Sequence, residues 1–175
     1  MRRVVTGQTS DGKSVFVSDS EVEPITVSGI PDAGFFRMWG ADEIITLPTD
    51  GRTPPRQEMY FPPAGGFRFG FVMLPPETVT PASALNLEQV MAEMQAKLPG
   101  ALEHMEPDHP GMHTTDSIDF DVVLSGELWL ELDDGAEVHL KAGDCVIMNG
   151  ARHAWHNRSS QPCTLMSALV GAKRV

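Results

Sequence analysis

Glu127-Leu128-Trp129-Leu130-Glu131-Leu132-Asp133-Asp134-Gly135-Ala136-Glu137-Val138-His139-Leu140 decides the fold class. Leucines at 128, 130 and 132 alternate with other residues, and a period of two puts them on one face of a strand. Asp134-Gly135 is a strong hairpin signal, and Glu137 to Leu140 returns as a second strand. The same grammar extends in both directions. Upstream, Phe120 to Leu124 is apolar-rich and Ser125-Gly126 turns. Downstream, Ala142-Gly143-Asp144 turns and Cys145-Val146-Ile147-Met148 reads as a buried run. Asn149-Gly150 turns again, Arg152 to His156 follows, and Cys163 to Val170 is the last candidate strand. Short strands at regular spacing predict a sandwich or barrel.

The first part of the chain also reads as strands and loops. Ser14 to Ser18 follows the turn Asp11-Gly12, and Phe35 to Gly40 is another candidate. Phe67, Phe69 and Phe71 alternate with Arg68, Gly70 and Val72, which predicts three rings on one face. They and Trp39 could wall an apolar pocket, with core packing the default. One helix is expected over 86–98. Asn86 caps it with Gln89 three residues on, Leu87, Val90, Met91, Met94 and Leu98 form its apolar stripe, and Pro99-Gly100 stops it. The expected organisation is one structural domain. Residues 1–105 supply strands and the helix that extend a barrel, and 106–175 supply its core.

Composition excludes several classes. The 175 residues contain 41% hydrophobic and 21% charged residues, which suits neither a disordered chain nor a membrane protein. Arg2 and Arg3 have no apolar run behind them, so a cleaved signal peptide is not expected. Two cysteines, Cys145 and Cys163, suggest no disulfide framework, and a reducing cytoplasm is the simplest home. A net charge of −11 disfavours nucleic acid as a partner. There is no G-x-S-x-G elbow, Walker loop or dinucleotide fingerprint.

The residues with chemistry lie at either end of the strand-rich half. If 113–119 is extended, His113, Thr115, Ser117 and Asp119 share a face. His153, Trp155 and Asn157 share one by the same parity. Two imidazoles and a carboxylate with open positions suit a divalent transition metal that also binds substrate. Among the other histidines, His156 has the opposite parity to His153 and is expected outside. His104, His109 and His139 read as solvent-facing. Trp129 and Trp155 read as packing residues, Arg68 and Arg152 as surface residues, and Asn157 as the fixer of a turn.

The two segments resemble the paired motifs of the cupin superfamily. The first motif runs Gly, five residues, His-x-His, three or four residues, Glu, six residues, Gly. His113 matches its first histidine, Thr115 stands at the second, Asp119 at the glutamate, and Gly126 closes it. The second runs Gly, five residues, Pro-x-Gly, two residues, His, three residues, Asn. Gly143, Gly150, His153 and Asn157 match it, Met148 replaces the proline, and the first spacer is one residue short. The resemblance covers roughly residues 111–170. It implies an all-β double-stranded β-helix, a jelly-roll barrel, with one short external helix. It further implies a metal site at His113, Asp119 and His153, holding iron, manganese, nickel, zinc or copper. Some members with eroded motifs bind no metal, and Thr115 is a poor ligand.

The expected function is a metal-dependent enzyme acting on a small organic, partly apolar or aromatic molecule, as an oxidoreductase or a Lewis-acid lyase or isomerase. The resemblance extends somewhat to cupin oxidoreductases of microbial biosynthetic clusters. Two alternatives stand beside it. One is a non-catalytic small-molecule-binding or sensing protein. The other is a metal-free isomerase or epimerase in which His113 or His153 is the general base and Asp119 its partner. Apolar edge strands need cover, so a homodimer is expected.

Overall fold

The computed structural model describes residues 1–79 and 86–175. Ten strands dominate it. In chain order they are β1 (Arg2–Gln8), β2 (Ser14–Glu21), β3 (Gly34–Ala41), β4 (Phe67–Leu74), β5 (Ser117–Ser125), β6 (Glu127–Glu131), β7 (Glu137–Lys141), β8 (Cys145–Asn149), β9 (Ala154–His156) and β10 (Cys163–Gly171). Among the described residues the one α-helix, α1 (Leu87–Lys97), lies between β4 and β5.

Two sheets make the body. One has five strands in the order β3-β4-β10-β5-β8, and the other has three in the order β7-β6-β9. All their pairings are antiparallel. Side chains from both sheets meet in one core: Val123 on β5, Leu128 and Leu130 on β6, Leu140 on β7, Met148 on β8, and Cys163 and Leu165 on β10. The fold is therefore an all-β jelly roll, two sheets packed face to face. The third sheet, β1-β2, is a hairpin set against the body. Arg3 Nη1 ties it there by donating to the Met38 carbonyl at 3.0 Å, and the Gln8 N–H donates to Thr49 O at 3.0 Å.

The Asp134-Gly135 turn forms as its residues predict. Both have positive φ, 58° and 71°, which Asp tolerates and Gly adopts freely. The leucine triplet is shorter than its pattern suggests. Leu128 and Leu130 are buried, but β6 ends at Glu131 and Leu132 is exposed. The run Cys145 to Met148 is half-buried rather than wholly buried. Met148 points into the core while Cys145 and Ile147 are exposed. An apolar run states that neither side is charged, not that both sides are covered.

The phenylalanine row also faces outward. Cross-strand register sets Phe69 opposite Ala168 and Trp39, and Phe71 opposite Met166 and Phe36. Arg68, Gly70, Val72 and Leu74 take the inner face. Phe69, Phe71 and Trp39 are nevertheless among the residues that line the cavity.

Helix α1 begins as expected at Asn86, whose side chain accepts from the Glu88 N–H at 2.9 Å, so the cap bond goes two residues on. Its stripe is only partly used. Leu98 packs with Val27 and Ala101, beside Met94, Phe35, Tyr60 and Phe61, whereas Leu87 and Met91 are exposed. Arg68 is not a surface residue. It is buried, pairs with Asp42 at 2.5 Å, and donates to the carbonyls of Ala41, Phe67 and Met59. It fastens the loop between β3 and β4 over the sheet. Among the described residues, no helix is long and apolar enough to cross a membrane.

Leu128 and Leu132 give a direct comparison. Leu128→Ala should lower unfolding stability by about 2–5 kcal/mol, as for a filled core site. Leu132→Ala should change it by about 0.5 kcal/mol or less. Urea unfolding of the two variants measures both.

Candidate functional site

A bridge between two distant segments creates the site. His113 and His153 pair antiparallel, each N–H donating to the other's carbonyl at 2.9 Å. This closes the open end of the two sheets and sets the rings side by side, with centroids 4.2 Å apart and planes at 50°. Each ring is fixed a second time. His113 Nδ1 lies 2.9 Å from Gly111 O, and His153 Nδ1 lies 2.8 Å from Ala151 O. A carbonyl only accepts, so each Nδ1 carries the hydrogen and each Nε2 keeps its lone pair.

Burial keeps both rings neutral. His153 is 2% exposed, and desolvation first, then the neighbouring His113, lower its pKa to about 4. Desolvation also lowers that of His113. Trp155 packs edge-on against His153 at 5.8 Å, and Phe61 stacks on His113 at 6.2 Å.

Strand β5 supplies carboxylates from the facing wall. Its burial alternates strictly from Ser117 to Val123, with odd residues inward. Asp119 is buried, and its Oδ1 has no hydrogen-bond partner. Burial raises its pKa, opposed by the Ser117 and Thr115 hydroxyls. Thr115, at the position of the second motif histidine, is buried and accepts from Ser117 Oγ at 3.0 Å. Asp121 is the next inward residue. It accepts from Ser167 Oγ at 2.6 Å, and burial pushes its pKa up to about 7, with Asp119 adding to the rise.

Both histidines and both aspartates border one cavity of about 420 Å³. Its other walls are largely apolar, with Tyr60, Arg37, Gln57, Arg68, Glu106 and Ser167 as polar exceptions. Arg37 is half-buried, and its Nη2 reaches the carbonyls of Gln57 and Met59 at 3.4 and 3.3 Å. Burial in the site lowers its pKa, and Arg68 adds to that. The Tyr60 phenol is pushed up to about 12 by desolvation, so it stays a donor.

The donor set fits a metal in kind: two neutral imidazoles with free Nε2 atoms and a carboxylate oxygen without a donor. The three side chains do not, however, stand within one ion's direct span. Among the described residues, the group of three whose ligand atoms lie within 4.8 Å of one another is Glu131, Glu137 and His156. That cluster is not among the residues bordering the cavity, and its donors are already partnered. His156 lies between Glu77 at 2.6 Å and Glu131 at 2.7 Å, and Arg158 pairs with Glu137.

The remaining predicted residues divide clearly. Asn157 fixes a turn, donating to Leu74 O and Gln161 O. His139 is exposed and stacks on Trp129 at 4.1 Å. His104 is half-buried instead, its Nδ1 2.9 Å from Thr114 O and its ring 4.8 Å from Phe61. Arg152 pairs with Glu106 and Asp133. Asp121, Arg37 and Tyr60 were not singled out in the sequence. Parity with Asp119 signals the first, and nothing local signals the other two.

Residues 101–169 match the family model described as Cupin domain. The Phomopsin biosynthesis cluster protein C' of Diaporthe leptostromiformis is 52% identical over 48 residues, 27% of this chain and 25% of that protein. The Cupin-domain-containing oxidoreductase virC of Hypocrea virens is 31% identical over 67 residues, 37% of this chain and 34% of that protein. The match thus spans about a quarter to a third of these relatives' length. The Cnp3 cupin domain of Schizosaccharomyces pombe aligns over 97% of this chain and 87% of that chain, at 10% identity and a TM-score of 0.49.

The depressed histidine pKa has a testable sign. An unfolded imidazole takes a proton near pH 6.5, while folded His153 takes one only near 4. Its contribution to stability is intact above about pH 6.5 and is lost as pH falls toward 4. Asp121 acts oppositely: its contribution is lost as pH rises from about 4 through 7. In metal-stripped protein, the His153 ring proton signal should titrate near 4 by NMR. Denaturant midpoints should fall less on acidification in His153→Gln than in the parent, and should lose their decline toward pH 7 in Asp121→Asn.

Proposed function

We propose that this chain, which carries a cupin domain across residues 101–169, is a metal-dependent enzyme acting on a small, partly apolar organic molecule. The observation that carries this reading is the pair of neutral imidazoles, 4.2 Å apart, at the wall of a 420 Å³ cavity. His113 and His153 would hold a divalent first-row ion through their Nε2 atoms, with Asp119 as the nearby negative charge. A bound ion would supply Lewis-acid or redox chemistry at positions left open to substrate.

The protein's own groups have definable work. The carbonyls of Gly111 and Ala151 hold the rings in the tautomer a ligand needs. The apolar walls exclude water and accept an aliphatic or aromatic body. Arg37, with guanidinium nitrogens left over from its two carbonyl contacts, orients an anionic or carbonyl oxygen of the substrate. Tyr60 offers a neutral O–H, and Asp119 and Asp121 accept or return a proton. The relatives support an assignment among oxidoreductases of biosynthetic clusters, since one is described as a cupin-domain oxidoreductase.

A metal-free acid–base enzyme is the second reading. It is favoured because the ligand atoms of His113, Asp119 and His153 do not all lie within 4.8 Å of one another, and it uses an imidazole as base with a carboxylic acid as its partner.

Elemental analysis of protein purified without added metal separates the two. The metal reading expects close to one equivalent of a first-row metal in the parent, and loss of nearly all of it in His113→Ala and His153→Ala. A metal-free parent that also fails to take up manganese, cobalt or nickel in equilibrium dialysis would overturn it.

A further inference from the structure

Strand β3 is bent where it carries Arg37. Its register against β4 shifts between Arg37 and Trp39, with Met38 as the extra residue. A bulge of this kind re-aims a side chain. Before the bulge, Phe35 stands opposite Val72 and Arg37 opposite Gly70, which puts both on the inner face. Gly70 is required there. A Cβ on it would stand 2.4 Å from Phe36 O, so any side chain would push β3 away. The guanidinium thereby borders the cavity.

The two arginines of the cavity wall differ in their partners. Arg68 is paired with Asp42, whereas Arg37 meets the carbonyls of Gln57 and Met59 and uses only Nη2 to do so. Carbonyls neutralise no charge, and the N–H donors on Nε and Nη1 remain. The electrostatic neighbours of Arg37 are Arg68, Tyr60 and Asp42, so Asp119 and Asp121 at the histidine wall do not neutralise it. Two further polar groups flank it, and both border the cavity. Tyr60 packs edge-on against Phe35, two residues from Arg37, with ring centroids 6.1 Å apart. Gln57 fits where Gly40 has no side chain, since a Cβ on Gly40 would stand 2.7 Å from Gln57 Oε1. That oxygen is buried without a partner, and a half-turn of the amide presents its NH2 instead.

We propose that Arg37, Tyr60 and Gln57 form a carboxylate subsite, and that the cavity takes a monocarboxylic acid with an aliphatic or aromatic body. This rests on the reading above in taking the cavity as the substrate's, and it decides between the anionic and the carbonyl oxygen allowed there. A carbonyl oxygen would leave the cation uncompensated in a largely apolar wall, which is costly. A phosphate monoester brings up to two charges, and Arg68, already paired, supplies no second cation. A carboxylate brings one charge, and its two oxygens match the planar fork of a guanidinium. Phe35, Val72, Leu74 and Leu165 line the space for the body. The wall with His113, His153 and Asp119 is left for the other end of the molecule.

Titration calorimetry tests this on full-length protein dialysed against a chelator, so that no ion can itself capture the acid. Hexanoate, octanoate, benzoate and cinnamate are each compared with the matching primary amide. The best acid should bind about tenfold or more tighter than its amide. Arg37→Gln should abolish that preference and leave the amide within about twofold of the parent. Arg37→Lys, which keeps the charge and loses the fork, should retain part of it, and Tyr60→Phe should weaken the acid about threefold or more. His153→Ala should keep the preference. Far-ultraviolet circular dichroism should be unchanged in every variant. Three results would overturn the proposal: no acid binding more tightly than its amide, a preference that survives Arg37→Gln, or octyl phosphate binding more tightly than octanoate. Metal content decides the enzymatic reading, and the acid preference is read without metal, so either can fail alone.

Discussion

Two backbone hydrogen bonds, exchanged between His113 and His153, carry the architecture of the site. The chain approaches β5 through one of these residues and enters β9 through the other. Their pairing fixes where each imidazole starts. Anchorage of each Nδ1 to the carbonyl two residues earlier then fixes where each ring points. Neither constraint depends on a ligand, so the Nε2 atoms are organised before anything binds. Such preorganisation is how a site avoids reorganisation when charge develops in it. It has an energetic cost, because two desolvated imidazoles side by side resist protonation and must stay neutral.

Strand β5 inverts the usual distribution of polarity in a sheet. Its inner residues include Ser117, Asp119 and Asp121, while Ile118 and Phe120 face outward and are exposed. In a stable sandwich the opposite is expected, with apolar residues inside. Buried carboxylates with raised pKa values are tolerated where they meet a substrate or an ion. The apolar core has meanwhile retreated to the far end of the sandwich, where Val123, Leu128, Leu140, Met148 and Cys163 pack without polar interruption. The fold thus divides into an end that supplies stability and an end that holds the chemistry.

Much of this was legible in the sequence, and the misses have physical causes. The β6-β7 hairpin was readable because Asp134-Gly135 can adopt positive φ at both positions and because Leu128 and Leu130 alternate. His113 and His153 were readable from parity and motif spacing, and the structure brings them together. Parity failed for Leu132, since a strand pattern does not say where the strand stops. It failed differently for Phe67, Phe69 and Phe71, where the period was right and the assumed side was wrong. Hydrophobicity alone cannot tell a core-facing row from an outward-facing one. Tyr60 and Arg37 were invisible for a third reason. They reach the cavity from a loop and an edge strand, through tertiary packing that leaves no local periodic mark.

The third ligand position shows most clearly what the motif does not determine. A Thr115 hydroxyl fills the place of an imidazole and accepts from Ser117 Oγ, and the two hydroxyls oppose the rise that burial gives the Asp119 carboxyl's pKa. Asp119 Oδ1 is buried with no donor at all. A buried acceptor without a donor is unfavourable unless something else meets it. Two imidazole lone pairs beside the same cavity share that deficit. At the histidine–aspartate wall acceptors gather without donors, while Tyr60, Arg37 and Arg68 stand among the cavity's other lining residues. Such a region attracts a cation, a proton or a substrate that brings donors, and the apolar walls restrict the rest of that substrate to a compact, largely non-polar body. Those demands come from the protein's own groups, and they hold whichever species answers them.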